Sequence, residues 1–175
     1  MGYYELLLAK KLSGGGGGGG GGQWTTDGIA DMSQPNGDIV LTVSRVYERA
    51  FYKRPITSVY STTVTQLDNY SFANCTDLKS VDFPNLTNSA YTNRAYLFQS
   101  CSNLESVNLP LFQSANGGYV FQNCSKLTEV FLPSYNSATG SDFFSNCTML
   151  TTVDLGSCGR IDANCFKNDS SFTTL

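Results

Sequence analysis

The sequence contains no histidine. That removes the side chain used most often as general base and metal ligand, and with it every Ser-His or Cys-His nucleophile pair. Charge is scarce as well: 14% of the 175 residues are Asp, Glu, Lys or Arg, against about 25% in an average soluble domain. Eleven Lys and Arg are outnumbered by fourteen Asp and Glu, for a net charge of −3. No broad basic field exists to neutralise a phosphate backbone, so nucleic acid is not an expected partner. No apolar run approaches the ~20 residues needed to cross a bilayer, which argues against direct membrane insertion. The short apolar stretch at residues 6–9 follows Glu5 and precedes Lys10 and Lys11, and no small-residue cleavage site follows, so it does not read as a secretory signal.

Nine of the seventeen glycines form one run, residues 14–22. Gln23-Trp24-Thr25 follows, where a phosphate-cradling loop would need Gly-Lys-Ser/Thr, so the run reads as a flexible spacer and no cofactor is expected.

What the sequence has instead is a repeat. Phe72-Ala-Asn-Cys75-Thr-Asp-Leu78-Lys-Ser-Val81-Asp-Phe83-Pro84 is followed by Phe98-Gln-Ser-Cys101-Ser-Asn-Leu104-Glu-Ser-Val107-Asn-Leu109-Pro110. Two more copies keep Phe121, Cys124, Leu127, Val130, Leu132, Pro133 and Phe144, Cys147, Leu150, Val153, Leu155, with Gly156 in place of proline. A period near 23 is too short for a helix-pair repeat and fits one coil of a solenoid. Degenerate copies flank these, Val46 to Val59 upstream and Phe166-x-x-Asp169-x-x-Phe172-x-x-Leu175 downstream. Alternation at Val-x-Leu predicts a short strand with one buried face, ended by the proline. Residues 39–43 are expected as the first strand, after a turn at Pro35-Asn-Gly-Asp38. Val64 to Leu67 and Arg160-Ile161 read as second short strands; Asn116-Gly117-Gly118 and Thr139-Gly140 read as turns. The Phe-x-x-Cys piece suits a helical turn. Phe72, Phe98, Phe121 and Phe144 are expected to share one buried column.

This grammar resembles the BspA-like class of leucine-rich repeats, whose units read roughly L-x-x-V-x-L-P, a variable stretch ending in I-G-x-x-A-F, then x-x-C-x-x-L. The resemblance covers residues 46–175. It implies a strand-rich right-handed solenoid, an α/β-type horseshoe of five to six coils with short strands and helical turns, and a binding or adhesion surface rather than a catalyst. The chain then divides into a docking helix (1–13), the polyglycine linker (14–22), an N-terminal edge and cap (23–45) and the repeats (46–175), the last incomplete. Apolar residues at 4, 7, 8 and 12 give the head segment its helical spacing.

A short docking helix, a glycine tract and a modular domain resemble the attachment layout of structural proteins in phages of gut bacteria. The main functional expectation is therefore a virion-associated binding module, held to a virion protein by its N-terminal helix and recognising a host-surface protein or glycan. The alternative is a surface adhesin of a bacterium or protist. A carbohydrate-active enzyme is a third reading, but no pair of catalytic carboxylates can be picked out.

The binding residues follow from strand alternation. Between the buried Val and Leu, one side chain per strand points outward: Tyr60, Asp82, Asn108, Phe131 and Asp154. Two residues back, Ser58, Ser80, Ser106, Glu129 and Thr152 form a parallel row. No metal site is expected: Cys75, Cys101, Cys124 and Cys147 recur in one slot, which makes a line of thiols ~5 Å apart and not a convergent cage. Cys158 and Cys165 fall outside that slot and could bridge in an oxidising medium. Asn74, Asn123 and Asn146 open formal glycosylation sequons, but asparagine there also suits a turn that bonds its own backbone. Arg45, Arg49, Lys53 and Arg54 form a basic cluster read as a solvated cap face. Phe166, Phe172 and Leu175 occupy core slots of a coil that does not close, so either the chain is a fragment or its edge is covered by association.

Overall fold

The computed structural model describes residues 37–89, 95–115 and 117–174. The head helix, the polyglycine linker and Trp24 lie outside the described residues. Two strands without the full repeat pattern come first, β1 (Gly37–Val40) and β3 (Ile56–Tyr60), and each Leu-x-x-Val-x-Leu/Phe stretch then forms a short strand: β5 (Ser80–Asp82), β7 (Ser106–Asn108), β8 (Glu129–Phe131) and β9 (Thr152–Asp154). On the return side of the coils run β2 (Arg45–Val46), β4 (Gln66–Leu67) and β6 (Asn88–Ser89). All pairings are parallel, in the orders β1-β3-β5-β7, β8-β9 and β2-β4-β6. The molecule is a parallel β-solenoid.

Apolar residues sit in columns because each coil repeats the last. Phe51, Phe72, Phe98, Phe121, Phe144 and Phe166 stack in sequence, with neighbouring centroids 4.8 to 5.7 Å apart. Such ring pairs contribute about 0.5–1.5 kcal/mol each beyond their burial. Leu78, Leu104, Leu127 and Leu150 fill the next column and are fully buried.

Three expectations need correction. Among the described residues there is no helix. The Phe-x-x-Cys piece makes successive three-residue turns, Cys75 N–H to Phe72 O at 3.3 Å and Leu78 N–H to Cys75 O at 3.1 Å. The intervening amides point sideways: Phe72 N–H donates to Leu97 O and Asn74 N–H to Gln99 O in the following coil. Those lateral bonds, with φ near +60° at Asn74, Asn123 and Asn146, remove the donors that an i→i−4 ladder needs. The first strand starts earlier than expected, with Gly37 and Asp38 inside it through pairing with β3. On the return side Arg160-Ile161 forms no strand, while Asn88-Ser89 does, because Thr87 N–H donates to Thr65 O and draws this polar pair into register with β4.

Glycine has a specific task at two places. A Cβ on Gly118 would run into the backbone of Ser141, and one on Gly140 into that of Gly117-Gly118. Two coils thus meet backbone to backbone. At the coil's edge, Phe172 lies over Phe166, centroids 4.2 Å apart and planes 13° apart. A residue in the leucine slot has turned to supply the next rung of the phenylalanine column, and both rings are half-buried.

Candidate functional site

The strand face carries the outward side chains in register. Tyr60 pairs with Asp82 and Asp82 with Asn108; Phe131 pairs with Asp154. The parallel row runs Ser58, Ser80, Ser106, then Glu129 and Thr152. Tyr60 is 42% and Phe131 51% exposed, well above what a core aromatic shows. Asn108, Asp154, Ser106 and Glu129 are exposed; Asp82 and Thr152 are half-buried. The eight expected residues therefore lie outward in two groups, Tyr60, Asp82, Ser106 and Asn108 on one sheet and Glu129, Phe131, Thr152 and Asp154 on the other.

Several are already fixed by neighbours. Asn108 Nδ2 donates to Asp82 Oδ1 at 2.7 Å. Asp154 Oδ1 accepts the Gly156 amide at 2.8 Å. Asp38, in register with Ser58, accepts both the Thr57 and Ser58 hydroxyls, at 2.9 and 2.6 Å. Those hydroxyls, Ser58 first, hold its carboxyl below the usual range. The ladder itself is interrupted between β7 and β8, which belong to separate sheets. Val107 is correspondingly half-exposed, unlike Val81, Val130 and Val153. The interruption sits between Asn108 and Phe131 and was not expected from the repeat, whose residues are regular there.

A second feature was missed. Tyr70, Tyr96 and Tyr119 stack along one flank, with centroids 4.4 and 4.7 Å apart, and the Arg49 guanidinium lies 5.1 Å over the Tyr70 ring. Each occupies the position two before the column phenylalanine, as Asp142 does before Phe144. Aligning the repeats on that slot would have found them. The expected basic cluster divides: Arg45 makes a two-pronged pair with Asp68, both contacts at 2.9 Å, while Arg49 and Lys53 lie over tyrosine rings.

The cysteine slot is structural in geometry. Cys75, Cys101, Cys124 and Cys147 each donate Sγ–H to the carbonyl of the phenylalanine one coil earlier, at 2.9 to 3.2 Å. Burial pushes the Cys75 thiol up to about 12 and raises the other three as well. Cys158 and Cys165 are free thiols, Cys158 donating to Arg160 O at 3.3 Å. Among the described residues no group of three or more potential ligands converges on a metal position. The sequon asparagines turn the chain as expected, but their side chains bond across coils: Asn168 to Asn146, Asn146 to Asn123, Asn123 to Ser100.

A family model for the BspA type leucine-rich repeat region matches residues 44–173 in six copies. A search of the curated proteins returns no match. The chain is similar to the leucine-rich repeat protein of T. pallidum, with 24% identity and a TM-score of 0.66 over 78% of this chain and 67% of that one. It is also similar to a leucine-rich cell surface protein of Faecalibacterium prausnitzii, with 25% identity and a TM-score of 0.58 over 75% of this chain. It spans 42% of that protein's length.

Proposed function

We propose that this chain, which belongs to the BspA-type leucine-rich repeat family, is a non-enzymatic binding and adhesion module of a bacterial surface, engaging its ligand through the strand face. The observation that carries this reading is the register of Tyr60, Asp82 and Asn108 on one sheet and of Phe131 and Asp154 on the next along the strand side of the solenoid, with Tyr60 and Phe131 out in solvent. A core has no use for Phe131 there. Exposed aromatics beside pre-oriented polar groups are what recognition surfaces offer.

The surface reading takes precedence over attachment to a virion. A similar solved structure is a cell surface protein. Virion attachment rests on the layout of residues 1–22 alone.

The test is a double variant, Phe131→Ala with Asp154→Asn, the asparagine keeping an acceptor for the Gly156 amide. Binding to host cells and to arrayed proteins and glycans should be lost, with thermal unfolding nearly unchanged. Retained binding would place the site elsewhere.

A further inference from the structure

This inference rests on the strand-face reading and names the class of partner. Charge is unevenly distributed over the molecule. The outward positions of the strand face hold five carboxylates, Asp38, Asp82, Glu105, Glu129 and Asp154, against the single ammonium of Lys79. That is a net of −4 on one face, where the whole chain carries −3. Among the described residues the ion pairs are Arg45 with Asp68, Arg49 with Glu48 and Arg160 with Asp162, none of them on this face. The bonds that Asp38, Asp82 and Asp154 accept come from hydroxyls, an amide side chain and a backbone amide. They orient the carboxylates without neutralising them.

The cations of the first coils lie off this face. Arg49 and Lys53 stack on the tyrosine flank of the first coils, and Arg45 is held by Asp68. Among the described residues the strand face thus carries more carboxylates than cations, and a face of one sign raises the local concentration and the association rate of the opposite one. Tyr60 and Phe131 stand three coils apart on the strand side, with the break between β7 and β8 between them. A cationic side chain is attracted both to an aromatic face and to a carboxylate beside it, and this row sets Tyr60 next to Asp82 and Phe131 next to Asp154.

We infer that the strand face takes an extended, Lys- and Arg-rich segment of a partner protein, laid across the strands with basic side chains over Tyr60 and Phe131 and against Asp82, Glu129 and Asp154. Acidic glycans and acidic protein surfaces are repelled by the same field.

The full chain, immobilised at physiological ionic strength, would be presented with a random dodecapeptide library and, in parallel, with an array of neutral and acidic glycans. Bound peptides should be enriched in Lys and Arg about threefold or more, and affinity for the selected peptides should fall about tenfold in Glu129→Lys and in Phe131→Ala. Asp82→Asn with Glu129→Gln serves as a second variant that removes charge while disturbing the face less, and thermal unfolding checks that each remains folded. A bound pool without basic enrichment, or enrichment that survives Glu129→Lys and Phe131→Ala alike, overturns the inference. Capture of a neutral glycan that is lost in Phe131→Ala, with no basic peptide bound, would sink the charge argument and keep the strand face as the site. Binding of any ligand that ignores both variants would sink the strand face itself.

Discussion

The Cys147 thiol donates to the carbonyl oxygen of Phe121, one coil earlier, at 3.1 Å. The same carbonyl also accepts the backbone amide of Cys124, so both its lone pairs are used inside the core. Each cysteine slot repeats this arrangement. A leucine there would offer no donor, and a serine would carry its hydroxyl on a shorter bond than C–S.

Cys124→Ala should therefore cost about 1–3 kcal/mol, from the lost donor and the cavity together, measured by denaturant unfolding. Alkylation should separate the thiols. Cys75, Cys101, Cys124 and Cys147 should resist iodoacetamide in the native protein, because they are buried and burial raises them far above neutral pH. Half-exposed Cys158 should react first. Rapid native labelling of Cys124 would contradict the packed column.

The cysteine, phenylalanine and outward strand positions were legible because four consecutive copies keep them at identical offsets, and stacking turns equal offsets into neighbours. The tyrosine stack obeyed the same rule, yet its slot holds Arg49, Tyr70, Tyr96, Tyr119 and then Asp142, too mixed in chemistry to stand out. Of the return strands, β4 was legible at Val64 to Leu67, while β6 was hidden for another reason. Asn88-Ser89 has no strand pattern of its own and pairs only because its neighbours in adjacent coils are already placed. The break between β7 and β8 leaves no mark in residues 104–109 and 127–132, which match the copies that do pair.

Asp169 occupies the cysteine slot of the last described coil. Its Oδ1 accepts the Cys147 amide at 2.8 Å, while Oδ2 is buried without a partner. Desolvation raises its pKa to about 6 against an ordinary value of 3.8, the bond from Cys147 partly opposing. A carboxyl whose folded value lies above its unfolded value binds more protons when folded between the two. Stability from this group is thus fullest below about pH 4 and is lost as pH rises through about 6. The group is half-exposed, so screening holds the effect to about 1 kcal/mol. Asp169→Asn and Asp169→Cys should each flatten the profile between these values and raise the unfolding midpoint at pH 7. An unchanged pH profile in both variants would mean that Asp169 does not set it.

Gly156 stands where earlier coils have proline, with φ of +53° and no room for a Cβ against the Pro133 carbonyl. Gly156→Ala meets strain and collision together and should cost about 1–3 kcal/mol or more. Gly159, which has nothing within reach of an added Cβ, is the control: Gly159→Ala should be near neutral. Equal effects at the two positions would show that helpful rigidity of alanine in the unfolded chain, not crowding, governs both.

The last prediction concerns Phe172, the last described ring of the phenylalanine column. Phe172 stacks on Phe166 at 4.2 Å, and the residues after it, Thr173 and Thr174, both donate to Thr151 O at 3.1 Å. Removing the ring should release this strip and expose Phe166. Phe172→Ala is expected to lose about 1–2 kcal/mol of local stability. Hydrogen exchange should quicken at the Thr173 and Thr174 amides, and at Asn146, whose amide donates to Lys167 O. The amides of Phe72 and Phe98, which bond Leu97 and Val120 within the central coils, should keep their protection, since each coil of a solenoid contacts only its neighbours. The uncovered face should also make the variant associate as concentration rises, seen as a growing mass in light scattering, whereas Phe172→Tyr, which keeps the stacked ring, should behave as the parent. Exchange that quickens evenly along the chain would show one cooperative unit instead of a separable coil around Phe166 and Phe172.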